Sequence, residues 1–158
     1  MTRINVVPVE ELSDQWLLAE YHELPRCIKQ KINIEDAPST YKLGPGHMKW
    51  AASHLAFLMQ RYYFLCNEMK YRGFRVNYPS SDLNQYVYEN KLQRLVEEDG
   101  YKVTPEDIEL NKQRLLEKYL EKPGYYKWTK RKKPEYYHVF FRFLNDILNI
   151  FDKNRKCN

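Results

Sequence analysis

The sequence predicts an all-α fold: a compact single domain of about three main helices, with a shorter insert helix and a C-terminal helix. Three observations predict it. Apolar residues recur at steps of three and four over long stretches, most clearly at Met48, Ala51, Leu55, Leu58, Tyr62, Leu65 and Met69. That spacing puts side chains on one helix face. Start and stop residues bracket such stretches, with Ser13-Asp14 and Thr104-Pro105-Glu106-Asp107 before them and Gly73, Gly100 and Pro123-Gly124 after them. No run of alternating apolar and polar residues marks paired strands. At 158 residues the chain suffices for one ordinary core and is short for two.

The first helix starts at a cap on Ser13 or Asp14 and turns Leu17, Tyr21, Leu24 and Ile28 inward. At about 100° per residue, Gln15, Ala19, His22 and Arg26 then share the opposite side, with Glu23 about a sixth of a turn away. Pro25 lacks an N–H and is expected to kink or end this helix near Tyr21 to Leu24, a bend able to shape a pocket. Residues 29–43 read as a loop with a short extended piece at Tyr41 to Leu43. Leu43-Gly44-Pro45-Gly46-His47 has neither a following GK[ST] nor a clear preceding strand, so it reads as a tight turn and not a phosphate loop. One long helix from about His47 to Arg72 follows and should form the core. His47 and His54 can share a face, yet no acid or cysteine stands at ligand spacing, so no metal site is expected.

Residues 74–81 read as a loop and 82–99 as a shorter helix starting at Ser81 or Asp82. Thr104 then opens a helix to about Lys122, with Ile108, Leu115, Leu116 and Tyr119 facing the core. Pro123-Gly124 breaks it. Tyr125, Tyr126, Lys127 and Trp128 alternate aromatic and basic character ahead of the basic run Lys130 to Lys133. Residues 135–151 form an apolar, aromatic helix (Phe140, Phe141, Leu144, Ile147, Leu148, Phe151) that covers core surface or binds a partner.

Charge and composition narrow the function. The net charge of +5 is uneven: residues 1–100 hold 12 Lys and Arg against 13 acids, and residues 101–158 hold 14 against 8. A basic region interleaved with aromatics is the footprint of a protein that binds a phosphate backbone. The 14 tyrosines invite a stacking role for some, beside core packing for many. Cysteines 27, 66 and 157 are odd in number and contain no CxxC pair, which argues against a disulfide framework and a zinc ribbon and fits a reducing cytoplasm. No signal peptide or membrane span is expected.

The start of the chain carries the chemistry. Removal of Met1 is expected because Thr2 is small, and it leaves a free α-amine on Thr2. With a pKa of about 8, against about 10.4 for lysine, that amine is on the order of a tenth unprotonated at neutral pH. An unprotonated amine can attack a sugar or carbonyl carbon and form a Schiff base.

MTRIN, ELSDQ and LAEYHELPR, with the LGxGH turn, resemble the pyrimidine-dimer DNA glycosylases with lyase activity, the phage endonuclease V type. The resemblance covers about residues 1–131, implying a glycosylase-like domain there and an extension at 132–158. It implies excision of UV-induced cyclobutane dimers from double-stranded DNA, with Thr2 as amine nucleophile and Glu23 as catalytic carboxylate, followed by β-elimination of the abasic strand. Arg3 and Arg26 match arginines that hold phosphates and the lesion, Gln15 a polar DNA contact, and Arg114 and Lys118 phosphate grips. Tyr125, Tyr126, Lys127 and Trp128 match the family's aromatic, basic C-terminal segment. His22 departs from the pattern, which carries arginine; imidazole has less charge at neutral pH and no bidentate fork, so lesion affinity or lesion type should differ. No cofactor is implied. A monomer in the cytoplasm of a bacterial or phage-infected cell is expected. The alternatives are a lyase or glycosylase for another lesion, a hydrolase using the Thr2 hydroxyl, and a DNA-binding protein without catalysis. Ion pairing with Glu117 and Glu121 is the competing role for Arg114 and Lys118.

Overall fold

The computed structural model describes residues 4–156, without the side chains of residues 139–145, 151 and 156. Among the described residues there is no β-strand. After a 3-10 turn at Val9–Glu11, seven α-helices follow: α1 Asp14–Lys29, α2 His47–Ala52, α3 Leu55–Tyr71, α4 Ser80–Glu89, α5 Gln93–Glu98, α6 Pro105–Glu121 and α7 Glu135–Lys156. The all-α expectation holds. No described helix is long and apolar enough to cross a membrane.

The caps explain where helices start. Ser13 accepts from the Trp16 amide at 3.2 Å and opens α1. Thr104 and Asp107 form a reciprocal capping box around Pro105 at the head of α6, satisfying two amides that the helix itself leaves unpaired. Pro25 does not end α1. It is buried inside the helix, which runs to Lys29 and closes with the Gln30 amide on the Arg26 carbonyl.

Two expected helices are each divided. The stretch from His47 breaks at Ser53 and His54: the Ser53 hydroxyl takes the Trp50 carbonyl at 2.7 Å, and His54 leaves helical geometry at φ −118. Asp99 then caps the new helix from 42 residues away, accepting from the Phe57 amide at 3.0 Å and contacting His54 Nδ1 at 2.9 Å. A remote carboxylate at the positive end of α3 stabilises a start that local propensity does not favour. The 82–99 stretch begins earlier, at Ser80, and breaks at Asn90–Leu92, where Lys91 takes φ 56. Gly44 and Gly46 take φ 70 and 89 in the turn before α2, a region open chiefly to glycine, as the tight-turn reading requires.

α1 packs on α3, and the core gathers Leu17, Leu24, Trp50, Leu58, Tyr62 and Leu65, each fully buried. Much of the aromatic excess lies in two packed clusters, beside a smaller group of Tyr21, Tyr62 and Tyr78. One joins Tyr41, His47, Trp50, His54, Phe57 and Tyr101; the other joins Trp16, Tyr119, Tyr126, Trp128 and Tyr137. Tyr137, from α7, is 1% exposed and belongs to the main core. Further along α7, Leu148 and Ile150 are exposed, while Phe140, Phe141, Leu144 and Phe151 lie outside the described side chains.

Glu11 sits where the strap before α1 meets α6. Burial raises its carboxyl above the ordinary range, opposed by Lys112. A folded-state pKa above the unfolded value means that the folded chain binds more protons in that window, so stability falls as pH rises through it. Glu11→Gln is therefore expected to melt higher than the parent at pH 7. The advantage should vanish below the ordinary carboxylate range, where both states of the parent are protonated; melting curves at the two pH values check it.

Candidate DNA-processing site

Residues 4–12 form a largely buried strap with no sheet partner, exposed only at Pro8 and Glu10, and its backbone groups are satisfied mainly by side chains. Buried amides and carbonyls need such partners. Ile4 N–H donates to His47 Nε2 at 3.1 Å, and its carbonyl accepts from the Tyr41 hydroxyl at 2.9 Å. Asn5 donates to Glu20 through its amide and its side chain. Asn111 Oδ1 accepts from the Val6 and Val7 amides while Asn111 Nδ2 donates to Asn5. Arg61 grips Glu20 with two nitrogens, at 2.6 and 3.1 Å, and donates also to the Val7 carbonyl. Arg72 joins the Val9 and Glu10 carbonyls to Asp14. Asn5 is thus tied at Glu20 and residues 9 and 10 at Asp14. Read backwards from residue 10, the strap runs along α1 towards its C-terminal half.

That half carries the predicted polar stripe. His22 and Arg26 are exposed on α1, and Glu23, one turn beyond buried Glu20, is half-buried. The Tyr21 ring contacts His22 edge-on at 5.0 Å. Thr2 and Arg3 lie outside the described residues.

Gln15 is engaged with the C-terminal segment. Its Nε2 donates to the Tyr125 carbonyl at 3.0 Å and its Oε1 accepts from the Lys127 amide at 3.1 Å. Further bonds fasten the same segment: the Asp14 amide to the Lys127 carbonyl at 2.7 Å, Trp128 Nε1 to the Glu11 carbonyl at 2.9 Å, and the Thr129 amide and hydroxyl to Asp14 at 3.0 and 2.6 Å. Side chains along the segment alternate. Tyr125 and Lys127 are exposed, whereas Tyr126 packs on Trp16 at 4.3 Å and Trp128 turns into the core. Arg114 and Lys118 stand on α6, whose buried Tyr119 packs against Tyr126 and Trp128. Arg114 pairs with Glu117 at 3.3 Å and Lys118 with Glu121 at 4.0 Å, the pairs anticipated as their competing role.

A pyrimidine dimer DNA glycosylase family model matches residues 1–82, just over half of the chain. The chain belongs to the pyrimidine dimer DNA glycosylase family. The family acts on damaged DNA, which implies repair of UV-induced dimers. The matched region contains the strap, the α1 stripe and the His47 turn. The partners that close the strap from the other side, Asn111 and Trp128, come from beyond it.

Sequence reasoning passed over the buried polar residues around the strap: Glu20, Arg61, Arg72 and Asn111, which hold it, and Glu68, which holds Arg131. A signal was present. Glu20 stands three after Leu17 and four before Leu24; Arg61 and Glu68 alternate with Leu58 and Leu65, and Asn111 lies between Ile108 and Leu115. A polar residue inside an apolar stripe must find a buried partner. Here the partners are the strap, Asp14, Arg131 and one another.

Proposed function

We propose that this chain excises cyclobutane pyrimidine dimers and cuts the strand through an imine formed by the Thr2 α-amine once Met1 is removed. The observation that supports the reading is the strap. Covalent geometry keeps the Thr2 nitrogen within about 9 Å of the Ile4 α-carbon. Glu23 stands one turn beyond Glu20, to which Asn5 is bonded, a rise of about 4.5 Å along α1. A tether this short and a carboxylate one turn on are compatible with both groups acting on one sugar.

In the reaction the amine lone pair attacks C1′ of the 5′ nucleotide of the dimer. The bond from C1′ to the base breaks, and its electron pair leaves with the base, which takes up a proton and stays joined to its 3′ neighbour through the cyclobutane ring. Glu23 stabilises the sugar cation that develops, accepts the proton lost by the amine, and returns it to the ring oxygen as the sugar opens to the imine. Loss of a C2′ proton then expels the 3′ phosphate, and water hydrolyses the imine. Arg3, His22 and Arg26 hold phosphate and lesion. Tyr125 and Lys127 meet the backbone beside Gln15, which acts by fastening their segment, while Tyr126 and Trp128 support it from below. Phosphate displaces Glu117 and Glu121 from Arg114 and Lys118 at small cost, because exposed ion pairs contribute little. Extrusion of a nucleotide costs least where stacking is already impaired, as at a dimer. We read residues 1–131 as the glycosylase domain and 132–158 as an extension packed on it through Tyr137.

Borohydride trapping tests this, using Met1-free protein, a duplex with one thymine dimer and a duplex with one abasic site. A covalent adduct mapped to Thr2 on both substrates is the expected result. An adduct on the abasic duplex alone removes dimer recognition and points to His22, which is exposed where the family pattern has arginine. Absence of adduct on both overturns the imine.

A further inference from the structure

Ile4 is the described residue nearest the nucleophile, and it is held more completely than packing requires. It is fully buried, so its side chain is already anchored. In addition, both of its backbone polar groups are taken by side chains from one turn, His47 on the amide and Tyr41 on the carbonyl.

The two partners are themselves fixed in the roles they play. His47 Nδ1 lies 2.7 Å from the Lys42 carbonyl, so Nδ1 carries the proton and Nε2 is left as the acceptor that the Ile4 amide needs. The imidazole is stacked on Trp50 at 5.8 Å and met edge-on by Tyr41 at 5.7 Å. Tyr41 is 4% exposed and packs at 86° on Trp50. Burial, and then the charge of Glu20, pushes its hydroxyl well above the ordinary phenol range, so it stays a donor. The left-handed glycines 44 and 46 fold Lys42 back towards the head of α2, which brings the carbonyl and the imidazole together.

We propose that His47 and Tyr41 are positioning residues, a two-sided clip on the Ile4 peptide that holds the N-terminal amine in line with the substrate sugar. This rests on the imine reading above. Without the clip the strap remains in the core through Asn5, Val6 and Val7, but the last residues before the amine gain freedom. Misplacement of a reacting group by about 1 Å can cost on the order of 100-fold in rate.

The test is the single-turnover rate of borohydride trapping on an abasic duplex, measured for Met1-free full-length protein and for Tyr41→Phe, His47→Phe and His47→Gln. Binding to a duplex carrying a tetrahydrofuran abasic analogue is measured in parallel. Tyr41→Phe and His47→Phe are expected to trap roughly 10- to 100-fold more slowly with unchanged analogue binding. His47→Gln, whose amide oxygen can accept from Ile4, should recover most of the rate. Parent-like trapping by both phenylalanine variants overturns the clip and leaves the imine standing. A parallel loss of analogue binding also overturns it, since that marks a general structural role. Absence of a parent adduct at residue 2 overturns the imine reading and the clip with it. Should His47→Phe fail to fold, Tyr41→Phe decides, because it keeps the packed ring and removes only the hydroxyl.

Discussion

Glu23→Gln is expected to lower base release and trapping by roughly 100- to 10,000-fold, the range for removing a positioned acid–base group. Binding to a dimer-containing duplex should persist. The amide keeps the shape of the side chain and its half-buried place on α1, but it takes no proton from the amine and opposes less charge to the sugar cation. Removing one carboxylate also makes α1 less negative one turn from Arg26, which favours rather than weakens phosphate contact. Gel-shift and single-turnover measurements on the same preparation separate the two effects. Turnover at the parent rate would remove Glu23 from the mechanism.

Arg61→Met is expected to have the largest effect on stability. Arg61 is 6% exposed and Glu20 1%, and their paired bonds lie at 2.6 and 3.1 Å. Removing the guanidinium leaves Glu20 charged and buried with only Asn5 as donor, and orphans the Val7 carbonyl that Arg61 also serves. Breaking one side of such a pair typically costs about 3–5 kcal/mol, a large part of an ordinary domain's stability. For a chain of this size that is a fall in melting temperature of roughly 6–20 °C. Arg61→Met with Glu20→Gln should recover part of it, because the stranded charge is gone. A melting temperature for Arg61→Met within error of the parent would show that the pair is dispensable.

Arg61 also shows how far the sequence could be read. Its place in an apolar stripe, between Leu58 and Leu65, marks it as buried, but nothing in the spacing says that Glu20, 41 residues earlier, meets it. The α1 stripe was legible for a local reason: a rotation of 100° per residue sends His22 and Arg26 outward whenever Leu17, Tyr21 and Leu24 go inward. The capping box at Thr104 was legible likewise, because its partners are three residues apart. The break at His54 was not, since its cap comes from Asp99. The roles within residues 125–128 were also hidden. Alternation separates Tyr125 and Lys127 from Tyr126 and Trp128, but only the docking of the segment on Gln15 and Asp14 decides which pair faces out.

By itself, then, the sequence determined the helical class, the faces of α1 and α6, the glycine turn into α2 and the family's residues at the start of the chain, because each depends on neighbours within a turn or two. Only the tertiary structure decided how the strap beneath those residues is held, by His47, Tyr41, Glu20, Arg61 and Asn111 acting from four other parts of the chain. The physical reason is the strap's own backbone. With no sheet partner, its buried amides and carbonyls must be matched by side chains wherever folding brings them, and spacing along the sequence does not encode where that is.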